Sequence, residues 1–113
     1  MLKFKSKWRE EPLDAFLVED AYANNGRVYL GLWCNEDGYF EPWADITVNL
    51  SGPVTDSSCG FVDTANCPEI VRFLEENGLA VPTGKTRMSG WNVYPEYRFD
   101  MEAVRKHSGG DVA

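Results

Sequence analysis

At 113 residues, with four Trp, five Tyr and six Phe, the chain forms one domain with enough large apolar side chains for a core without metal or disulfide staples. Its formal net charge of −7 repels nucleic-acid phosphates and excludes a general DNA- or RNA-binding role. No long apolar run and no apolar segment behind the basic N-terminus predict neither a membrane span nor a signal peptide; three cysteines with no Cys-x-x-Cys pair and one histidine, His107, predict a reduced, cytoplasmic setting without a zinc site or other cofactor.

In chain order, Leu2, Phe4 and Trp8 alternate with Lys3, Lys5, Lys7 and Arg9, the period of a half-buried strand with one basic face, which Pro12 ends. LDAFLVE (13–19) predicts a second strand, and Asn25-Gly26 a tight turn, because both residues tolerate positive φ. RVYLGLWC (27–34) places Val28, Leu30, Leu32 and Cys34 on one face of a third strand, and NEDG (35–38) turns the chain again. FEPWADITVNL (40–50) reads as one fourth strand, with Ala44, Ile46, Val48 and Leu50 inward and Trp43, Asp45, Thr47 and Asn49 outward. Strands joined by such short turns are antiparallel neighbours.

Residues 51–60 read as a polar loop and Phe61-Val62 as a brief extended segment. Asn66-Cys67-Pro68-Glu69 supplies an N-cap, a first-turn proline and a capping-box glutamate for a helix whose apolar stripe is Ile70, Phe73 and Leu74. Gly78 and Leu79 form its left-handed C-cap, and Pro82 prevents continuation. The segment 82–90 reads as a polar loop. WNVYPEYRF (91–99) is a late strand with Trp91, Val93, Tyr97 and Phe99 on one face, and Pro95 within it demands an edge position or a bulge. Asp100 caps a short helix over MEAVRKH, and SGGDVA (108–113) reads as disordered. The predicted fold class is α+β: an antiparallel meander of about four to five strands, one main α-helix packed on one face and a late returning strand. Residues 1–100 form a single domain and 101–113 a short helix or disordered C-terminal tail.

Charge is distributed unevenly. Residues 1–9 carry Lys3, Lys5, Lys7 and Arg9, whereas residues 10–82 hold fourteen acids against Arg27 and Arg72. Two readings of the acidic middle stay open: solubility, or a face aimed at a basic partner.

Few residues suggest chemistry. Gly84-Lys85-Thr86 ends like a phosphate-binding P-loop, but Leu79 stands where the first glycine belongs, a helical rather than strand pattern precedes it and no helix follows. Cys–His catalysis would rest on His107 beside the tail; the cysteines suit buried apolar positions better. Glu36-Asp37, Asp45 and Asp63 have no spacing that acid–base work would require. The stretch from Thr83 through Lys85, Thr86, Arg87 and Ser89 to Trp91, Tyr94 and Tyr97 has the composition of a recognition loop, with Gly84 and Gly90 bringing backbone close. It reads equally as a helix-to-strand connection whose cations answer nearby carboxylates.

NGR (25–27), EPWADITVNL (41–50) and FVDTANCPEIVRFLEENGLAVPTGKTRMSGWNVYPEYRF (61–99) carry a resemblance. In these segments the chain resembles an uncharacterised family of small acidic proteins carried by conjugative elements and phages of gut bacteria, over about residues 13–99, with FVDTAN, ENGLAVPTG and SGWNVYPEYRF the most specific parts. The resemblance implies a mobile-element setting and a shared fold, and it implies that Thr83-Gly84-Lys85-Thr86 is a family feature; it supplies no activity. Three function classes follow. The first is a non-enzymatic accessory protein that binds a protein partner, in one form an acidic inhibitor of a host defence or nucleic-acid-binding protein. The second is a small-ligand or enzymatic domain using the 82–91 loop with Asp63 and Asn66. The third is a structural homodimer made by edge pairing of the last strand; otherwise the chain is a monomer.

Overall fold

The computed structural model describes residues 1–109. The expected meander is present as one four-stranded antiparallel sheet of β1 (Leu2–Phe4), β2 (Leu13–Ala21), β3 (Val28–Glu36) and β4 (Tyr39–Asp45), neighbours in that order. A second four-stranded antiparallel sheet, which the sequence reading did not anticipate, holds β5 (Thr47–Val48), β6 (Cys59–Val62), β7 (Ala80–Ser89) and β8 (Asn92–Phe99) in the order β5-β6-β8-β7. The late strand returns to this second sheet, not to the meander. The helix expected as the main one, α1 (Ile70–Glu76), has seven residues, and α2 (Met101–Lys106) six, so the fold is mostly sheet.

The first strand stops at Phe4 and does not run to Arg9. Ser6 is buried, and its hydroxyl accepts from the Trp8 N–H at 3.0 Å while its carbonyl accepts from the Arg9 N–H at 3.3 Å, a turn that leaves Trp8 in solvent. Phe4 packs edge-on against Phe73 of α1, ring centroids 5.3 Å apart, and against Trp43 at 6.3 Å. On β3 the predicted face of Val28, Leu30, Leu32 and Cys34 is buried. The β3–β4 connection is a two-residue turn with Asp37 at φ 59° and Gly38 at φ 92°, the pair of left-handed residues that matches strand twist.

The predicted strand 40–50 splits at Ile46. The Ile46 N–H donates to the Leu30 carbonyl at 2.8 Å and its own carbonyl accepts from the Asp63 N–H at 2.8 Å, so this residue ends one sheet and opens the other. Ahead of the split, pairing with β3 jumps from Leu32↔Ala44 to Trp33↔Pro42, leaving Trp43 as the extra residue of a bulge on an edge strand. The predicted alternation fails with it: Thr47, expected outward, is buried beside Ile46. Its hydroxyl is satisfied there, accepting from the Leu30 N–H at 3.2 Å and bonding to the Tyr22 hydroxyl at 2.9 Å.

Asn66 does not cap α1. Glu69 occupies the N-cap position without a side-chain cap bond, and its carboxylate accepts instead from the Lys7 N–H at 2.9 Å. Asn66 turns back to Asp63, its N–H on Oδ1 at 3.3 Å and its Nδ2 on Oδ2 at 2.8 Å. The C-terminus is as predicted: Gly78 has φ 65°, and the Leu79 N–H reaches the Leu74 carbonyl at 2.9 Å. Asp100 caps α2 through the Ala103 N–H at 3.1 Å, and Val104 is fully buried. Beyond α2 the chain lies along β2, the Leu17 N–H donating to the His107 carbonyl at 2.9 Å and the Gly109 N–H to the Leu17 carbonyl at 3.0 Å. The expected tail disorder therefore fails at Ser108 and Gly109, while 110–113 lie outside the described residues.

The largest correction concerns 82–90. These residues form most of β7, and Pro82 and Gly84 mark a bulge: pairing with β8 jumps from Pro82↔Tyr97 to Thr86↔Pro95. Thr83, Gly84 and Lys85 thus oppose the single residue Glu96, with Gly84 at φ 88°. Pro95 sits beside this bulge, as its missing N–H requires.

Because Ile46 is fully buried where the two sheets meet, Ile46→Ala is expected to cost about 3 kcal/mol in urea denaturation, well above Val48→Ala one pair further on. Equal costs at the two positions would contradict this account of the crossover.

Candidate binding site on the β7–β8 hairpin

β6 pairs with β8 only from Cys59↔Arg98 to Phe61↔Glu96, whereas β7 and β8 remain paired out to Ser89↔Asn92. Residues 86–95 therefore extend past the rest of the sheet as a two-stranded ribbon, closed by Gly90-Trp91 with Gly90 at φ 62°.

At the ribbon's base, Glu96 is 1% exposed and wholly hydrogen-bonded. Its Oε1 accepts from the Thr83 hydroxyl at 2.6 Å and the Thr55 hydroxyl at 2.5 Å, and its Oε2 from the Thr55 N–H at 2.8 Å. Burial alone would raise its pKa, but the Thr55 and Thr83 donors and the nearby Lys85 charge outweigh it and hold the carboxyl below its ordinary range. Sequence reasoning missed Glu96 because strict alternation put it on the outer face; the signal was Pro95, which demanded a bulge without saying which side would be sealed.

Arg87 fastens the ribbon to the preceding loop. Its Nη1 donates to the Ser51 carbonyl at 2.6 Å and its Nη2 to the Pro53 carbonyl at 2.9 Å, with the guanidinium carbon 4.8 Å from the Phe61 ring centroid. Gly52 makes this possible, since a Cβ there would fall 2.6 Å from Nη1. At the end of the same loop, Asp56 takes Arg98 Nη2 at 3.0 Å, and the Ser58 hydroxyl and N–H with Arg98 hold its carboxyl far below the usual range. Loop 51–56 is thus tied down at several points, and the cations of this region are largely spent on architecture.

Lys85, Thr86 and Arg87 line one cleft of about 490 Å³ with Thr55, Phe61 and Glu96, and Thr83 stands behind it on the Glu96 carboxylate. Ser89 and Trp91 stand at the ribbon's tip. Tyr94 and Tyr97 turn inward; the Tyr97 hydroxyl donates to Glu75 Oε2 at 2.6 Å, and burial and that carboxylate push its pKa up to about 12. Asp63 and Asn66 pair with each other, and Asn66 opens on a different cleft beside Trp8 and Trp43, so these two do not join the hairpin. Burial raises the Cys34 and Cys67 thiols to about 12, which keeps them protonated near neutrality.

What the tip offers is surface. Trp91 is 99% exposed, and Met88 and Val93, a directly opposed cross-strand pair, are also exposed. They lie one residue along from Arg87↔Tyr94, the pair that faces the body, so the strand period turns them outward.

Removing Glu96 tests the base of this site. Glu96→Ala, which strands the Thr55 and Thr83 donors, is expected to cost about 3 kcal/mol, and Glu96→Gln about 1 kcal/mol. Because the folded pKa lies below the ordinary 4.5, the carboxylate's contribution is complete above that pH and is lost as pH falls through the folded value. The stability gap between the wild type and Glu96→Gln, followed by denaturant titration, should be widest near neutrality and shrink in acid; a gap independent of pH would contradict this.

No curated protein and no solved structure matches the chain. A family model described as a domain of unknown function, DUF4313, matches residues 17–112, from the middle of β2 through the hairpin and α2. The chain belongs to the DUF4313 family.

Proposed function

We propose that this chain is a non-enzymatic accessory protein of a mobile genetic element and works by binding another protein through the tip of the β7–β8 hairpin. The observation that carries the reading is Trp91, 99% exposed at the end of a ribbon whose base is fixed by Glu96 and Arg87. A tryptophan is highly buried on average, and one held in solvent with an apolar pair beside it is the usual composition of a binding anchor. The fixed base matters because a ribbon ordered before contact loses little entropy on binding. The mobile-element setting follows the resemblance carried by FVDTAN, ENGLAVPTG and SGWNVYPEYRF; an inhibitor of a host defence protein is one form such an accessory takes.

The small-ligand alternative draws less support. In the cleft lined by Thr55, Lys85 and Thr86, Glu96 and Arg87 already spend their hydrogen bonds on the fold.

Trp91→Ala tests the proposal. Its side chain touches solvent, so the stability should stay within about 0.5 kcal/mol of the wild type. Binding to the protein that wild-type chain retains from host lysate should fall at least about tenfold, the range of a hot-spot residue. If the same proteins are retained equally by both, the hairpin is not the binding surface.

A further inference from the structure

We infer that the hairpin's partner presents an apolar socket flanked by carboxylates, so that the partner surface is acidic although this protein carries a net charge of −7. The inference rests on the protein-binding reading above and adds the chemistry of the other side.

From Val81 to Pro95 the chain holds Lys85 and Arg87 and no acid, and the supporting stretch Asn49–Thr55 holds none either. The adjoining carboxylates are kept from a partner: Glu96 is sealed under the bulge with Lys85 as its nearby cation, and Asp56 is paired with Arg98. The hairpin is therefore a cationic finger on an anionic body. Arg87 is committed through both terminal nitrogens to loop carbonyls, which leaves Lys85, exposed in the bulge, as the cation a partner meets. Lys85 stands four residues before Ser89, the last β7 residue, or roughly 13 Å from the turn at the rise of an extended strand.

A matching surface takes the Trp91 indole in a socket, packs its lip on the Met88–Val93 pair and places an Asp or Glu about that same distance away. A lysine-rich surface would put like charge against Lys85 at the point of closest approach. Nucleic acid and an anionic bilayer are extended anionic surfaces that would also face the acidic body, whereas a protein can confine its carboxylates to the rim of the socket.

The test places the photo-crosslinking residue p-benzoylphenylalanine at position 91, and in a control at the exposed Tyr39 on the β3–β4 turn, in the full chain inside the host cell. Adducts are identified by mass spectrometry. The expected result is a protein adduct at 91 in which apolar residues are accompanied by Asp or Glu. Yield should drop roughly threefold or more with Lys85→Glu, drop less with the neutral Lys85→Met, and hold with Lys85→Arg, at a temperature below the thermal midpoint of every variant, which Lys85→Glu lowers by setting a like charge near Glu96. Adducts on Lys- or Arg-rich peptides, or a yield indifferent to Lys85→Glu, overturn the acidic partner while leaving protein binding intact. Adducts on nucleic acid, on lipid or on another copy of this chain overturn the partner assigned here. No protein adduct at 91 above the Tyr39 control overturns the binding reading itself.

Discussion

A carboxylate stays out of water only when its oxygens are occupied by donors, and the second sheet is arranged around that requirement at Glu96. Three β7 residues bow around it, and Thr83 supplies one donor from the bow. Two more come from Thr55, which draws the 51–56 loop against β8. Once the loop is there, its carbonyls meet the Arg87 guanidinium, and the ribbon beyond gains a footing on one side. Glu96 ties bulge and loop to one strand, and Arg87 ties the ribbon to the same loop. The exposed tip is thus the far end of a ribbon whose direction is set by hydrogen bonds at its base.

The strand edges lead to the same surface. Beyond three-residue β1, residues 107–109 cover the continuing edge of β2. β4 carries Pro42 and the Trp43 bulge, β5 is two residues long, and β7 carries Pro82 and the bulge at Thr83–Lys85. Short edges, prolines, bulges and an outward lysine are the means by which sheets avoid pairing with other chains. The last strand, which the sequence suggested as a dimer seam, has β6 on one side along its second half and β7 on the other, and so offers no free edge there. Recognition by strand addition is poorly served, and recognition by side chains at the tip is what the architecture leaves open.

Local rules read well wherever the chain obeys one period or one turn chemistry. The buried face of β3, the Asp37-Gly38 turn and the Gly78–Leu79 cap all follow from residues adjacent in sequence. The failures have two causes, local side-chain bonds that compete with the expected element and partners distant in sequence. Ser6 and Trp8 leave the strand pattern because Ser6 is needed for a turn, and Asn66 abandons the helix for Asp63, whose place is fixed by Ile46. The Trp43 bulge and the change of sheet at Ile46 break the alternation before Thr47, whereas on β8 the alternation holds and Glu96 is buried because loop 51–56 covers the face opposite Tyr97 and Phe99. In the 82–90 segment, proline, glycine and polar side chains signal a loop by composition, and only the cross-strand partner converts them into a bulged strand. Of the candidate site, Thr83, Lys85, Thr86, Arg87 and Trp91 were legible as a group, while the inward turn of Tyr94 and Tyr97 depended on a register that no local pattern carries.

The acidity of the body and the bareness of the tip explain each other. A fixed, exposed patch of Trp91, Met88 and Val93 is an aggregation hazard in any protein at high local concentration. A net charge of −7, carried mainly by residues 10–82, makes copies repel before their tips can meet. The same repulsion requires that the tip itself be free of exposed acids, since a carboxylate beside the indole would be desolvated on contact without a partner cation. Under the protein-binding role proposed above, solubility and recognition, the two readings of the charge pattern, are one arrangement: anions where the surface should stay wet, and lysine with tryptophan where it should become dry.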